Sequence, residues 1–266
     1  MITSPSNGRV KWVISLMEKA RMRRKEQKYV VEGCKMFLEA PEAQIAEVYV
    51  SSRFILKGKE AGTTEAECME KLRKVAWEEV TDDVYRKMSD TVNPQGILCV
   101  MTMQEGDTES LIKNKKNPHL LLLENLQDPG NLGTILRTAE GAGADGVILS
   151  RDSVDIYNPK VIRSTMGAVY RVPFFYTEDL HATMKELQQK GITIYAAALE
   201  KARAYDTCDF KSGCAILIGN EGNGLLPETI QAADRTCFIP MEGQVESLNA
   251  SVAAAILMYE VHRQRQ

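Results

Sequence analysis

The stretch NLQDPGNLGTILRTAEGAGADGVIL, residues 125–149, decides the fold of the C-terminal half. Within it, Gly141, Gly143 and Gly146 have the G-x-G-x-x-G spacing of a dinucleotide-binding loop. Such a loop works only after a strand and before a helix, because the helix N-terminus must face the pyrophosphate. Here the order is reversed. Leu132, Leu136 and Ala139 keep a helical period ahead of the glycines, and the run from Gly146 to Leu149 follows them as a short buried-strand pattern. Gly143 therefore reads as a helix stop and Gly146 as the turn into a strand. An NAD site at these glycines is not expected, and the chemistry of the segment falls to Asn131, Gly133 and Arg137.

The flanking sequence continues the alternation. HLLLLEN at 119–125 is an unbroken apolar run, suited to a strand covered on both faces. After GVILS the pattern predicts a helix from about Pro159 to Met166, a strand in YRVPFF, and a helix capped by Thr177 and stopped at Gly191. ITIYAAAL, CAILIGN and RTCFIP read as strands, and a helix from Leu248 to about Arg263 closes the chain. The expected fold class is α/β, with a mostly parallel sheet and helices on both faces. Ligand in such sheets lies beyond the carboxyl ends of the strands. The polar segment 104–118 reads as a linker, which gives domains 1–103 and 119–266. The first domain alternates on a shorter scale: a basic helix to about Lys25, the strand KYVVEG, a helix at 36–40, the strand AEVYVSS, the helix EAECMEKLRKVA and the strand GILCVMTM.

Bulk properties narrow the function. No apolar run reaches the ~18 residues of a membrane span, and the N-terminus has no apolar core of a secretion signal, so a cytoplasmic protein is expected. Six cysteines without a C-x-x-C pair and three histidines without metal spacing predict free thiols and no metal site. The net charge of −3 argues against indiscriminate nucleic-acid binding. Yet residues 8–28 hold eight basic side chains against Glu18 and Glu26, and the pattern predicts one amphipathic helix there. A solvated helix face and a phosphate-binding face both fit that pattern. Arg9, Lys11, Arg21, Arg23, Arg24 and Lys25 are the candidate RNA contacts.

Three strand ends carry polar or glycine-rich sequence. After HLLLLEN comes N-x-G-x-x-x-R-T-A, with Asn131, Gly133, Arg137, Thr138 and Ala139, in which Asn131 can cap the following helix. After CAILIG comes I-G-N-E-G-x-G, from Ile218 to Gly224. After RTCF comes I-P-M-x-G-x-x-x-S-L-N-A-S-V-A, from Ile239 to Ala253, whose Ser247 or Asn249 can cap the last helix. Its small residues Ala250, Ala253, Ala254 and Ala255 let a backbone or flat ligand approach. Together, in this order, the three segments resemble the motifs of the SpoU (TrmH-like) RNA ribose 2′-O-methyltransferases, over roughly residue 120 to the end. The N-terminal block more loosely resembles the L30e-like substrate-binding domain found fused to that catalytic domain.

The resemblance implies an α/β fold in which the C-terminal segment threads a loop as a trefoil knot, an exception to unknotted topology. It implies S-adenosylmethionine as cofactor and a homodimer whose site is completed near the interface. Carried over, adenosine would lie against backbone of Leu199, Gly219, Ile239 and Leu248. Asn131, Arg137, Glu221, Ser247 and Asn249 match the polar catalytic positions. A guanidinium holds its proton too tightly to be an easy base, so Arg137 is expected first as a clamp on phosphate and developing alkoxide, and second as a literal base. Large-subunit ribosomal RNA is the expected substrate by analogy, and DNA, lacking the 2′-hydroxyl, is not. The alternatives are transfer RNA and a non-catalytic ribosome-assembly factor.

Overall fold

A computed structural model describes residues 1–104, 106–245 and 247–266. Glu105 of the connecting segment and Glu246 of the third motif lie outside the described residues. In chain order the elements begin α1 (Gly8–Glu18), α2 (Ala20–Glu26), β1 (Lys28–Glu32), α3 (Cys34–Glu39), β2 (Ile45–Ser51), α4 (Ser52–Lys57) and α5 (Thr64–Leu72). Next come β3 (Trp77–Val80), α6 (Asp82–Met88), β4 (Ile97–Thr102), α7 (Thr108–Ile112), β5 (His119–Leu123) and α8 (Pro129–Ala142). β6 (Gly146–Ser150), α9 (Pro159–Thr165), β7 (Phe174–Thr177), α10 (Leu180–Gln189), β8 (Thr193–Ala197) and β9 (Arg203–Ala204) follow. The chain ends with β10 (Cys214–Ile218), α11 (Pro227–Ala232), β11 (Arg235–Phe238) and α12 (Ala250–Gln264). Two units form: Met1–Gln104 with Asp155–Tyr170, and Glu105–Val154 with Arg171–Gln266.

The first unit is a four-stranded sheet in the order β1-β4-β2-β3, antiparallel except for the β2–β3 pair. Val10, Val13 and Leu16 of α1 recur at helical spacing and pack on Val30, Tyr49 and Val100 of the sheet. The expected single basic helix is two. Lys19 is extended, at φ −121° and ψ 110°, and separates α1 from α2. The reason lies at Arg23, which is only 3% exposed. Its guanidinium donates to the carbonyls of Leu16 and Met17 at 2.7 and 2.8 Å, so α2 folds back on the end of α1. The same group pairs with Asp155 at 2.7 Å. Asp155 belongs to a segment expected in the C-terminal domain, yet 155–170 folds with the first unit. There the Tyr157 ring lies 4.4 Å from that of Tyr29, and Arg163 pairs with Asp90 at 2.6 Å.

The second unit is a seven-stranded sheet, every pair parallel, in the order β7-β6-β5-β10-β8-β11-β9. The continuous apolar strands β5 and β10 are buried throughout and lie side by side at its centre. One face carries Leu120, Leu122, Ala215 and Leu217 under Met184 and Leu187 of α10. α12 packs on α8 and on β10. As the reversed order of the glycines predicts, α8 precedes them: Gly143 caps it at φ +71°, and β6 begins at Gly146.

Three local expectations are corrected. Asp179, not Thr177, caps α10, accepting from Ala182 N–H at 2.9 Å, because the Thr177 hydroxyl bonds the Asp179 carbonyl. β7 starts only at Phe174, after Pro173, which has no N–H to give a ladder. The segment expected as a linker holds α7, capped by Asp107 in a reciprocal pair with Ser110, and its Leu111 sits in the core of the second unit. A side chain at Gly146 would meet Leu111 at 2.6 Å, so the two positions are fitted to each other. Leu111→Ala is expected to cost about 2–5 kcal/mol in urea unfolding. A loss under about 0.5 kcal/mol, the range of surface substitutions, would show α7 to be merely laid on the surface.

Candidate active site

Loops at the carboxyl ends of β5, β10 and β11 meet in the second unit. The link between the first two is a carboxylate. Glu221, in the glycine-rich loop after β10, accepts from Gln127 N–H at 3.0 Å and Asp128 N–H at 2.9 Å, both at the start of α8. Asn131 Nδ2 also donates to it, at 3.0 Å. Asn249, in the loop after β11, donates through Nδ2 to Asn131 Oδ1 at 2.9 Å. The Asn131 amide thus uses one end for each partner, which fixes its orientation and joins three strand ends in one chain of bonds. Burial, the largest single influence on Glu221, favours its neutral form; the bonds from Asn131, Gln127 and Asp128 together outweigh it and hold the carboxyl below its ordinary range.

Asn131 does not cap α8, as the sequence suggested it can. Asp128 does, accepting from Asn131 N–H at 2.8 Å, and the Asn131 side chain is thereby left for the network. Asn249 does cap α12, its Oδ1 accepting from Ser251 N–H at 2.9 Å. Two anchors were not foreseen. Glu124, 5% exposed at the end of β5, accepts from Leu226 N–H at 2.8 Å and from the Thr229 hydroxyl at 2.5 Å. Asn220 donates to the Asn125 carbonyl at 2.8 Å. A carboxylate closing a wholly apolar strand was the available signal for Glu124, since a buried charge must find partners.

The glycine-rich loop turns back on itself, with Asn220 and Gly224 exchanging N–H···O bonds of 3.0 and 2.9 Å. A Cβ on Gly219 would lie 2.3 Å from the Gly224 carbonyl carbon and 2.4 Å from Leu225 N. Gly219 is therefore required first by the close approach of the chain's own backbone.

A cleft of about 380 Å³ opens beside this loop. Leu199, Gly219, Ile239 and Leu248, the four residues expected around adenosine, all line it, as do Glu221 and Ser247. Ala250 and Ala253 of α12 complete one wall, while Ala254 points into the core. Leu199 is 72% exposed and forms an apolar rim. The volume falls in the ~300–1,000 Å³ range of small-molecule sites, and apolar walls with exposed loop backbone suit an adenine-bearing ligand.

Asn131, Asn249 and Arg137 are not in the cleft lining. For the two asparagines this follows from their engagement with each other. Arg137 comes six residues after Asn131 on α8, about 240° further round the helix, and faces solvent. Among the described residues its guanidinium has no hydrogen-bond or ion-pair partner. One chain therefore gathers Glu221 and Ser247 at the cleft with Asn131 and Asn249 behind, and leaves Arg137 outside. In the first unit Lys11, Arg21, Arg24 and Lys25 are exposed, Arg9 pairs with Glu47 and Glu78 at 3.0 Å each, and Arg23 is removed from the set by its burial.

Residues 118–259 match the SpoU rRNA Methylase family, and residues 7–99 match the MRM3-like substrate binding domain. The chain is 36% identical over 182 residues to the Bacillus subtilis (strain 168) 23S rRNA (guanosine(2553)-2′-O)-methyltransferase RlmP, covering 68% of this chain and 71% of that protein. It is 29% identical to the Danio rerio mitochondrial rRNA methyltransferase 3A, over 97% of this chain and 69% of the relative. A crystal structure of an AdoMet-bound rRNA methyltransferase from Sinorhizobium meliloti superposes with a TM-score of 0.85 at 27% identity, covering 98% of this chain and 97% of that one.

The lowered acidity range of Glu221 carries a sign. Its bonds add stability that is fully present above the ordinary carboxylate range near pH ~4.3 and is lost as pH falls through the depressed value. Glu221→Gln keeps the shape but not the charge, so the wild type should be the more heat-stable at about pH 6 and the difference should shrink towards about pH 3. A gap that stays constant across that range in thermal melts would mean the carboxylate charge does not hold the loops.

Proposed function

Because the chain belongs to the SpoU rRNA methylase family, we propose that it is an S-adenosylmethionine-dependent enzyme that methylates a ribose 2′-hydroxyl of 23S ribosomal RNA. One observation carries the reading: all four residues expected around adenosine line a single cleft of about 380 Å³ beside a loop fixed by Glu221. The cofactor, when bound, supplies an electrophilic methyl group on a sulfonium. What falls to the chain's own residues is to hold the ribose 2′-oxygen in line with that methyl group and to ease the departure of its proton.

In this reading Leu199, Ile239 and Leu248 enclose the adenosine, while the Gly219–Gly224 backbone offers it hydrogen-bonding groups. Ser247 lies on the cleft wall, where its hydroxyl can meet the ribose. Asn131, Glu221 and Asn249 are positioning residues, since their polar atoms are spent on one another and on the start of α8. Glu221 is thereby disfavoured as a base. Among the described residues no histidine lines the cleft. Arg137 would donate to a phosphate and to the developing alkoxide, with literal proton acceptance the lesser role for a guanidinium.

We infer a homodimer from the place of Arg137. It shares the exposed side of α8 with Gly141, where an added Cβ would lie 3.2 Å from the Tyr259 hydroxyl of α12. Tyr259 and Val252 are 49% and 46% exposed, so this face combines apolar surface with an unpaired cation. A second copy covering it would bring Arg137 towards the partner's cleft. The C-terminal segment is read as knotted, as the resemblance implies. RNA delivery is assigned to Lys11, Arg21, Arg24 and Lys25 of the matched substrate-binding domain. DNA is excluded as substrate by its missing 2′-hydroxyl. Among the described residues no helix is long and apolar enough to cross a membrane, which accords with a cytoplasmic site of action.

With purified protein, labelled S-adenosylmethionine and transcribed 23S rRNA, Arg137→Ala is expected to cut methyl transfer by about a hundredfold or more. Cofactor affinity by calorimetry should stay within a few-fold. Near-normal turnover would remove Arg137 from the chemistry, and no transfer by the wild type to any ribosomal RNA would overturn the assignment itself.

A further inference from the structure

A second concavity, polar and about 520 Å³ in volume, opens on the methyltransferase unit. Thr193 and Tyr195 of β8 and Arg235 and Thr236 of β11 line it, together with Lys201 and Arg203. The same strands run on into the cofactor cleft, where Ala197 and Cys237 are lining residues. Register sets Tyr195 beside Arg235, Ala197 beside Cys237, and Cys237 beside Arg203 of β9. Groove and cleft are therefore two residues apart along β8, about 7 Å at strand rise. Tyr195 holds one wall in place by donating its hydroxyl to the Asp209 carbonyl at 2.6 Å.

The charges of this groove are unbalanced in how they are used. Arg203 and Arg235 are exposed, and among the described residues neither has a hydrogen-bond or ion-pair partner. Lys201 has only Glu200, 68% exposed, at 3.9 Å. The two acids of the groove are already engaged. Asp234 accepts from Gln188 Nε2 at 3.1 Å and from Ile194 N–H at 2.8 Å, and Asp209 accepts from Lys211 N–H at 3.1 Å. Two free guanidiniums on neighbouring strands, with an ammonium in the same lining, present forked donors that match phosphate oxygens.

We propose that this groove binds the phosphodiester backbone of the RNA strand next to the ribose being methylated. The groove's continuity with the cleft and the spread of its three cations over two chain segments favour a polyanion over a single small anion. This proposal rests on the cleft being the methyl-transfer site. It adds a second RNA contact, on the catalytic unit itself, whose role is to hold the strand and not to carry out chemistry.

The test is the double variant Arg203→Ala/Arg235→Ala, with Lys201→Glu as an independent second and Lys113→Ala/Lys116→Ala as a control of matched charge loss. Binding of transcribed 23S rRNA is measured across a salt series, alongside methyl transfer and calorimetric cofactor binding. The double variant should raise KM for RNA about tenfold or more, and flatten the slope of log affinity against log salt by about 1–2. Its kcat at saturating RNA and its cofactor affinity, which also reports folding, should change less than about threefold, and Lys201→Glu should act in the same direction. An unchanged RNA KM and salt slope overturns the groove while leaving the methyltransferase assignment standing. In a calorimetric titration with inorganic phosphate on the same proteins, loss of phosphate binding in the double variant with RNA binding intact would make it a small-anion site and equally overturn it. Wild-type protein that binds RNA without transferring methyl defeats the assignment of the cleft, and the binding arm then still decides the groove.

Discussion

The active-site end of the sheet depends on one interaction between its loops, the acceptance of three N–H donors by the Glu221 carboxylate. A loop of glycines and polar residues has much conformational entropy to lose and little apolar surface with which to offset it. Charge-assisted bonds are the stronger kind, and here they arrive from two backbone amides at the start of α8, where the helix end leaves donors unpaired. One carboxylate therefore satisfies the helix and immobilises the loop together. Glu124 repeats the device on the other side, tying the end of β5 to Leu226 and Thr229.

Topology explains why these two carboxylates face those loops. The chain builds β5, β6 and β7 outward in one direction, then places β8 on the far side and inserts β10 between β5 and β8. The junction of β5 and β10 is the point at which strand order reverses, where parallel sheets leave a crevice. Loops leaving both strands are there forced into neighbouring space. Asn125, Asn220, Glu124 and Glu221 are the polar groups that the crevice would otherwise expose or leave unsatisfied. The cleft lies on the β8 and β11 side of this junction, which is why its lining comes from the ends of β8, β10 and β11 together with α12.

Much of this could be read from residues in order, and the rest could not. The buried runs of β5 and β10 and the helix stop at Gly143 are local facts, carried by periodicity and spacing, whereas the four apolar or glycine positions of the cleft came only with the resemblance of the three motifs to a known family. What escaped depends on contacts between residues far apart. Arg23 is indistinguishable in sequence from Arg21 and Arg24, and only the Leu16 and Met17 carbonyls and Asp155 separate its fate from theirs. Asn131 has the composition of a cap, but Asp128 three residues earlier takes that role. β9 has two residues and no periodicity at all, and the polar flanks of α7 hide the one leucine that matters.

The distribution of charge within the second unit separates two tasks. Carboxylates near the cleft are bound to donors of the protein, so they shape the site without competing for a ligand's protons. The guanidiniums of Arg137, Arg203 and Arg235 are free of such bonds and are held on regular elements, where little side-chain reach is lost to backbone motion. An ion pair within the protein would have to be broken, at a desolvation and entropy cost, before such a group could meet a phosphate. Leaving these cations unpaired in solvent costs little, because water solvates them well. It also keeps their five donors each available for an anion that arrives with the substrate. Beside the cleft the chain thus engages its acids in architecture and leaves Arg137, Arg203 and Arg235 unpaired, an arrangement that suits a polyanionic substrate.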